Sequence, residues 1–225
     1  MATIQAVVFD KDGTLQNTEH WRQAALRVVL ERMGHVPPLD VLTRMIGTTK
    51  EDGDALLKSA IPSLDTELFR AERSEVLRKF YDRPDVVTSR VPSMPGAVET
   101  LRALRHMGLK VGVATGTLQD EAVQELRLGG MTELIDCVVG RDKVQDGKPS
   151  PEIFLKAAKE LGVAPENCVA VGDTDFDVKS ASMAGMKVVL IPDRRECSAE
   201  VQASAHLVCD SLYEFMEKYR TGWSR

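Results

Sequence analysis

From Pro95 to Tyr219 short apolar runs alternate with helical patterns, and this alternation constrains the fold more than any other feature of the chain. The spacing predicts a helix over Pro95–Met107, with Val98, Leu101 and Leu104 inward, then a strand over Leu109–Ala114. A helix over Leu118–Leu128 is closed by Gly129-Gly130, and a strand follows at Asp136–Val139. Pro151–Leu161 is a helix with proline at its favoured first position. A strand at Val169–Val171, a helix over Asp175–Gly185, a strand at Val188–Ile191 and a short strand at Leu207–Val208 lead to an amphipathic helix over Leu212–Tyr219. Repeated strand–helix units imply a parallel sheet covered on both faces. In such sheets ligands bind beyond the carboxyl ends of the strands, so chemistry is expected just after each apolar run.

The first such run stands apart, at Ala6-Val7-Val8-Phe9-Asp10-Lys11-Asp12-Gly13-Thr14-Leu15. Four apolar residues read as a strand buried on both faces, and Gly13 marks where the chain turns away. In an extended conformation Asp10 and Asp12 lie on one side, ~6–7 Å apart along the chain. A hard divalent cation that takes oxygen ligands would relieve their repulsion and leave one carboxylate as a nucleophile. Taken alone, the pair reads rather as two exposed turn formers at a strand-to-turn junction.

Between this run and the alternating region the pattern is helical. Thr18 is a plausible N-cap for a helix that ends at Gly34. Pro37-Pro38 restarts the chain for a short helix through Met45, Gly47 closes it, and further helices cover Glu51–Ser59 and Asp65–Tyr81. Four helices of this size can form a small bundle of their own. Arg83–Pro95 holds three prolines and no periodicity and reads as a linker.

The 225 residues suffice for a core and an inserted domain. No apolar run approaches a membrane span, and the chain enters its first strand without a charged leader, so the expectation is a cytoplasmic protein with no membrane partner. The net charge of −5 is spread rather than clustered, which argues against a nucleic-acid partner. Cys137, Cys168, Cys197 and Cys209 lack metal-ligand spacing and read as reduced, mostly buried thiols.

Three later strand ends carry functional side chains. Thr115-Gly116-Thr117 offers a hydroxyl and backbone N–H groups to an oxyanion, or else simply caps the next helix, with Thr117 the better capping candidate. Gly147-Lys148-Pro149-Ser150-Pro151 holds a lysine in a proline-stiffened loop, where a lone lysine would ordinarily be solvated. Gly172-Asp173-Thr174-Asp175-Phe176-Asp177 places three carboxylates at a helix start, more than capping needs, with Asp175 the expected N-cap.

Together these four stretches, in order, resemble the four motifs of the haloacid dehalogenase superfamily, in the branch of phosphoglycolate phosphatase and beta-phosphoglucomutase. The resemblance implies an α/β fold, with a Rossmann-like parallel sheet core at residues 1–15 and 90–225 and a four-helix cap domain at 16–89. It implies a phosphatase acting on a small phosphorylated metabolite through an aspartyl-phosphate. On the family pattern Asp10 is the nucleophile and Asp12 the general acid and base, while Thr115, Gly116 and Lys148 bind the phosphoryl group. Mg2+ is held by Asp10, Asp173 and the Asp12 carbonyl, with Asp177 in support. Asp12 argues against the dehalogenase and phosphonate hydrolase branches. Thr14 leans toward a phosphatase, with a sugar phosphomutase, or a binding module that kept only the fold, as alternatives. His20, Arg22, Arg44, Thr48, Thr49 and Lys50 are candidate cap contacts, and Gly47-Thr48-Thr49-Lys50 resembles the family's specificity loop. Gln16-Asn17-Thr18 departs from the Asp-Ser pair that often follows the first motif. The expected state is a monomer or a homodimer.

Overall fold

The computed structural model describes residues 3–45, 50–81, 91–193 and 197–222. It divides into two compact units, Met1–Asn17 with Arg90–Arg225, and Thr18–Ser89. The first unit opens with β1 (Ala6–Phe9). The second consists of α1 (Glu19–Arg32), α2 (Leu39–Arg44), α3 (Lys50–Ala60) and α4 (Thr66–Tyr81). The chain then returns through α5 (Ala97–His106), β2 (Lys110–Ala114), α6 (Gln119–Leu128), β3 (Cys137–Val139) and α7 (Glu152–Leu161). It ends with β4 (Cys168–Gly172), α8 (Asp175–Met183), β5 (Lys187–Leu190), α9 (Ala199–Ser204), β6 (Leu207–Val208) and α10 (Leu212–Arg220).

The six strands form one parallel sheet in the order β3-β2-β1-β4-β5-β6. Because side chains alternate across a strand, each strand feeds both faces. Ala6, Val8, Ala170, Val188 and Leu190 join one core cluster with Ile153, Phe154, Ala157 and Val178 from α7 and α8. Val7, Phe9, Val169, Val171 and Val189 join the other, with Leu101 and Leu104 of α5 and Phe215 and Met216 of α10. Burial on both sides is why these strands read as continuous apolar runs. Moving along the chain, β2 and β3 lie on one side of β1 and β4, β5 and β6 on the other. The sheet therefore has its switch point between β1 and β4, where a crevice opens at the strands' carboxyl ends.

The helical unit has its own core of Ala25, Leu26, Val29 and Leu30 from α1, with Val41, Leu42, Leu57, Phe69, Val76 and Leu77 from the other helices. Arg70 pairs with Asp54 and with Glu67, joining α3 and α4 at the surface of this unit. Among the described residues no helix is long and apolar enough to cross a membrane.

The predicted linker is more ordered at its end than its prolines suggest. The Asn17 N–H donates to the Pro92 carbonyl at 2.7 Å, the Met94 N–H donates to the Leu15 carbonyl at 2.9 Å, and Val91 is buried. Proline lacks only the donor, so Pro92 can still accept in this pairing. Residues 82–90 lie outside the described part. Helix α9 was not predicted; Ser198 caps it by accepting the Val201 N–H at 3.3 Å, but six residues are too few to show a period. Thr18 stands at the N-cap of α1 without a capping bond from its side chain. All four cysteines are free, and burial pushes each thiol's pKa up, Cys137 and Cys197 to about 12.

Leu101 is fully buried between α5 and the sheet. Leu101→Ala is expected to cost about 2–5 kcal/mol of stability, read by urea unfolding of the purified chain.

Candidate active site

The switch point is where the acidic residues meet. Asp10 continues β1, its N–H donating to the Val171 carbonyl of β4 at 2.8 Å, and Asp173 follows β4 directly. Gly13 makes their approach possible. It sits at φ +92°, and a Cβ there would lie 2.4 Å from Asp173 Oδ2. Gly172 does the same for α8, since a Cβ on it would lie 2.4 Å from the Asp177 Cβ.

The α8 cap differs from the expected one. Thr174, not Asp175, is the N-cap: its hydroxyl accepts the Asp177 N–H, while Asp177 Oδ2 accepts the Thr174 N–H at 3.0 Å and its hydroxyl at 2.6 Å. This reciprocal capping box fixes the Asp177 carboxylate with its other oxygen turned to the site. Threonine wins because only the residue three before Asp177 can exchange both bonds with it.

Lys148 ties the cluster together. Its ammonium donates to Asp10 Oδ1 at 2.5 Å, to Asp177 Oδ1 at 2.6 Å and to the Ala114 carbonyl at 2.8 Å, which uses all three protons. The Phe154 ring lies 5.2 Å away and closes its apolar side. Ser180 holds the loop by donating to the Ser150 carbonyl at 2.6 Å. Thr14 donates to Asp173 Oδ1 at 3.0 Å.

Burial sets the electrostatics. It pushes the Asp10 carboxyl up to about 7, against the pull of the Lys148 charge and with a further push from Asp177. Burial likewise holds Asp173 well above the usual carboxylate range, with the Asp177 and Asp10 charges adding to it. Burial alone would lower Lys148, but Asp10 and Asp177 outweigh it and hold its ammonium above the ordinary value. One lysine thus faces three carboxyl groups, two of which burial biases toward the neutral form.

Such a set suits a cation. Asp10, Asp173 and Asp177 each offer a carboxylate oxygen, and these oxygens lie within 4.8 Å of one another. Hard, oxygen-only donors of this kind fit magnesium, calcium or manganese rather than zinc. Asp177 is therefore a full member of the group.

The Asp12 carboxylate points elsewhere. Its Oδ2 accepts the Thr115 hydroxyl at 3.0 Å and the Thr117 hydroxyl at 2.7 Å, and its Oδ1 accepts the Lys11 ammonium at 2.5 Å. Any part Asp12 plays toward a cation in this arrangement falls to its main-chain carbonyl. Thr115 is buried, and its hydroxyl accepts the Thr117 N–H at 3.1 Å. Gly116 is exposed with open space around it.

Thr117 is thus a site residue rather than the cap of α6. That role belongs to Asp142, whose carboxylate accepts the Gln119 N–H at 2.7 Å. Sequence reasoning also missed Lys11 and Glu125, which pair in the interior. A signal was present: Glu125 shares the inward face of α6 with Ala122 and Leu126, and an acid on an apolar face calls for a cation. Of the predicted helical contacts, Arg44 is exposed in the last turn of α2 and Arg22 is half-buried in α1. Thr48 and Thr49 lie outside the described residues, as do the side chains of His20 and Lys50.

The model of one family, haloacid dehalogenase-like hydrolase, matches residues 7–191. The chain belongs to that family of hydrolases. It is similar to a phosphoglycolate phosphatase from Aquifex aeolicus, at 34% identity over 191 residues covering 83% of this chain and 84% of the relative. A phosphorylated carbohydrates phosphatase from Thermotoga maritima is 32% identical over 185 residues, 82% of this chain and 83% of the relative. The crystal structure of a candidate beta-phosphoglucomutase from Thermotoga maritima superposes with a TM-score of 0.77 at 27% identity, covering 97% of this chain and all of that one.

Protons and a cation compete for the same carboxylates. Titration calorimetry with magnesium is expected to show affinity rising from pH ~5.5 to ~8, with protons released on binding. A carboxyl whose folded pKa exceeds its unfolded value holds its proton more tightly in the native state. The metal-free chain is therefore expected to lose stability as pH rises from ~4 through about 7, a trend that Asp10→Asn weakens. Gly13→Ala, forced against Asp173 at a positive φ, is expected to lower magnesium affinity at least ~10-fold in the same assay.

Proposed function

We propose that this phosphoric monoester hydrolase acts on a small phosphorylated sugar or acid, with magnesium as cofactor and an aspartyl-phosphate on Asp10 as intermediate. The observation that carries this reading is the division between the two aspartates: Asp10 is held by Lys148 among metal-ligating carboxylates, while Asp12 is held by hydroxyls and an ammonium. One fits a nucleophile, the other a proton donor and acceptor.

Asp10, Asp173 and Asp177, with the Asp12 main-chain carbonyl, would hold the cation, whose charge would offset that of the carboxylates and of the phosphoryl oxygens. Asp10 attacks phosphorus as the bond to the leaving oxygen breaks, and Asp12 gives that oxygen its proton. Asp12 then takes a proton from the water that attacks the aspartyl-phosphate, which frees phosphate and restores Asp10. Lys148 neutralises charge on Asp10 and on the phosphoryl group, and the Gly116 amide, with the Thr115 hydroxyl once it turns from Asp12, would receive its oxygens. Positioning and charge neutralisation carry most of phosphoryl transfer, and these residues supply both.

The relatives that act on phosphoglycolate and on phosphorylated carbohydrates support a substrate of that size. The helical unit, read as a cap over residues 16–89, would select it through Arg44, Thr48, Thr49 and Lys50, and would exclude water.

Phosphate release from phosphoglycolate, hexose and pentose phosphates and β-glucose 1-phosphate, with magnesium and then with a chelator, is the test. Magnesium-dependent release on one compound is expected, with Asp10→Asn slower by at least ~10³-fold and still folded. Conversion of β-glucose 1-phosphate to the 6-phosphate with little free phosphate would make the chain a mutase. Full activity in Asp10→Asn would overturn the mechanism.

A further inference from the structure

Lys11 lies between the two aspartates in sequence, yet its side chain is fully buried, which is rare for a lysine. Its ammonium pairs with Glu125 of α6, itself only 3% exposed, and donates to Asp12 Oδ1 at 2.5 Å. The Thr115 and Thr117 hydroxyls occupy the other oxygen of Asp12 at 3.0 and 2.7 Å. The Asp12 carboxylate is thus held at both oxygens, by a cation on one side and two hydroxyls on the other.

A buried ion pair of this kind is weak evidence of stabilisation, since two apolar side chains of similar volume commonly serve stability as well or better. Its distinctive property is direction. An ammonium anchored by Glu125 presents its remaining protons along fixed lines, and the anchor is itself fixed. Gln16, also buried, donates through Nε2 to the Glu125 main-chain carbonyl at 2.8 Å, so α6 meets the first loop at two points. The short reach from Lys11 to the next residue leaves Asp12 little freedom to turn.

The geometry points to Lys11 and Glu125 as positioning residues for Asp12: the pair restricts its carboxyl to one orientation and so contributes to proton transfer without touching substrate. This rests on Asp12 being the general acid of the proposed reaction. A carboxyl free to rotate spends only part of its time in the productive pose, and the loss falls on the step that needs its proton. An alkoxide leaving group needs that proton, whereas p-nitrophenolate departs readily without it.

The test compares kcat/KM, which covers the steps through phosphoryl transfer to Asp10, for an alkyl phosphomonoester cleaved by the wild type and for p-nitrophenyl phosphate. The variants are Lys11→Met/Glu125→Leu, which exchanges the pair for apolar side chains of similar size, Glu125→Gln, which keeps a hydrogen-bond acceptor, and Asp12→Asn as reference. The double variant is expected to lose ~10²-fold on the alkyl ester and less than ~5-fold on the aryl ester, with Glu125→Gln between it and the wild type. Equal losses on both esters, or none, in the double variant while Asp12→Asn discriminates between them would overturn the inference alone. An Asp12→Asn variant that does not discriminate would overturn the acid–base reading and the inference with it. The crystal structure of the double variant gives a readout independent of turnover. There the Asp12 carboxylate is expected to leave Thr117 or to split between rotamers; a single Asp12 rotamer still bonded to both threonines would overturn the proposal.

Discussion

The Lys148 ammonium, shared between Asp10 and Asp177, is the interaction on which the rest of the site depends. Three carboxylates drawn together at the strand ends repel one another, and burial already favours the neutral forms of Asp10 and Asp173. A single cation with all its protons engaged holds two of them in register and leaves the third, Asp173, on a threonine hydroxyl. The arrangement remains short of positive charge. That shortfall suits the set of carboxylate oxygens to a hard cation.

The fold brings these charges together with little help from the loops. Asp10 and Asp173 are the residues that follow two neighbouring strands, and the parallel register aligns those strand ends. Close approach is then a matter of volume, and two glycines remove the obstructing Cβ atoms, Gly13 against Asp173 and Gly172 against Asp177. The capping box of α8 turns a helix-start requirement into a fixed carboxylate, so one residue, Asp177, serves both the helix and the site.

Around Asp12 a second polar network runs the other way, through Lys11 and Glu125 into α6 and through Gln16 into the loop after the first motif. Asp10 is bonded to β4 and to Lys148 in the loop before α7, and Asp12 to the β2–α6 connection and, through Lys11, to α6. Two carboxylates two residues apart thus acquire different surroundings, as the proposed division between a nucleophile and an acid requires.

Local sequence determined the elements and the chemistry at their ends. Short apolar runs cannot satisfy a helix period, and the carboxylates and the hydroxyl directly follow those runs, with the lysine in the loop after β3, so strands and candidate positions were legible together. Short elements were not: α9 and the pairing of Pro92 and Met94 with Leu15 and Asn17 are too brief or too proline-rich to announce themselves. Tertiary structure alone decided the strand order, and with it that β1 and β4 would be neighbours and Asp10 would meet Asp173 and Asp177. It also decided that Thr117 would turn to Asp12 and that Lys11 would find Glu125 more than a hundred residues away. The reason is the same in each case: a side chain's partner depends on which elements pack beside it, and sequence spacing reports only the neighbours within one helical turn or one strand.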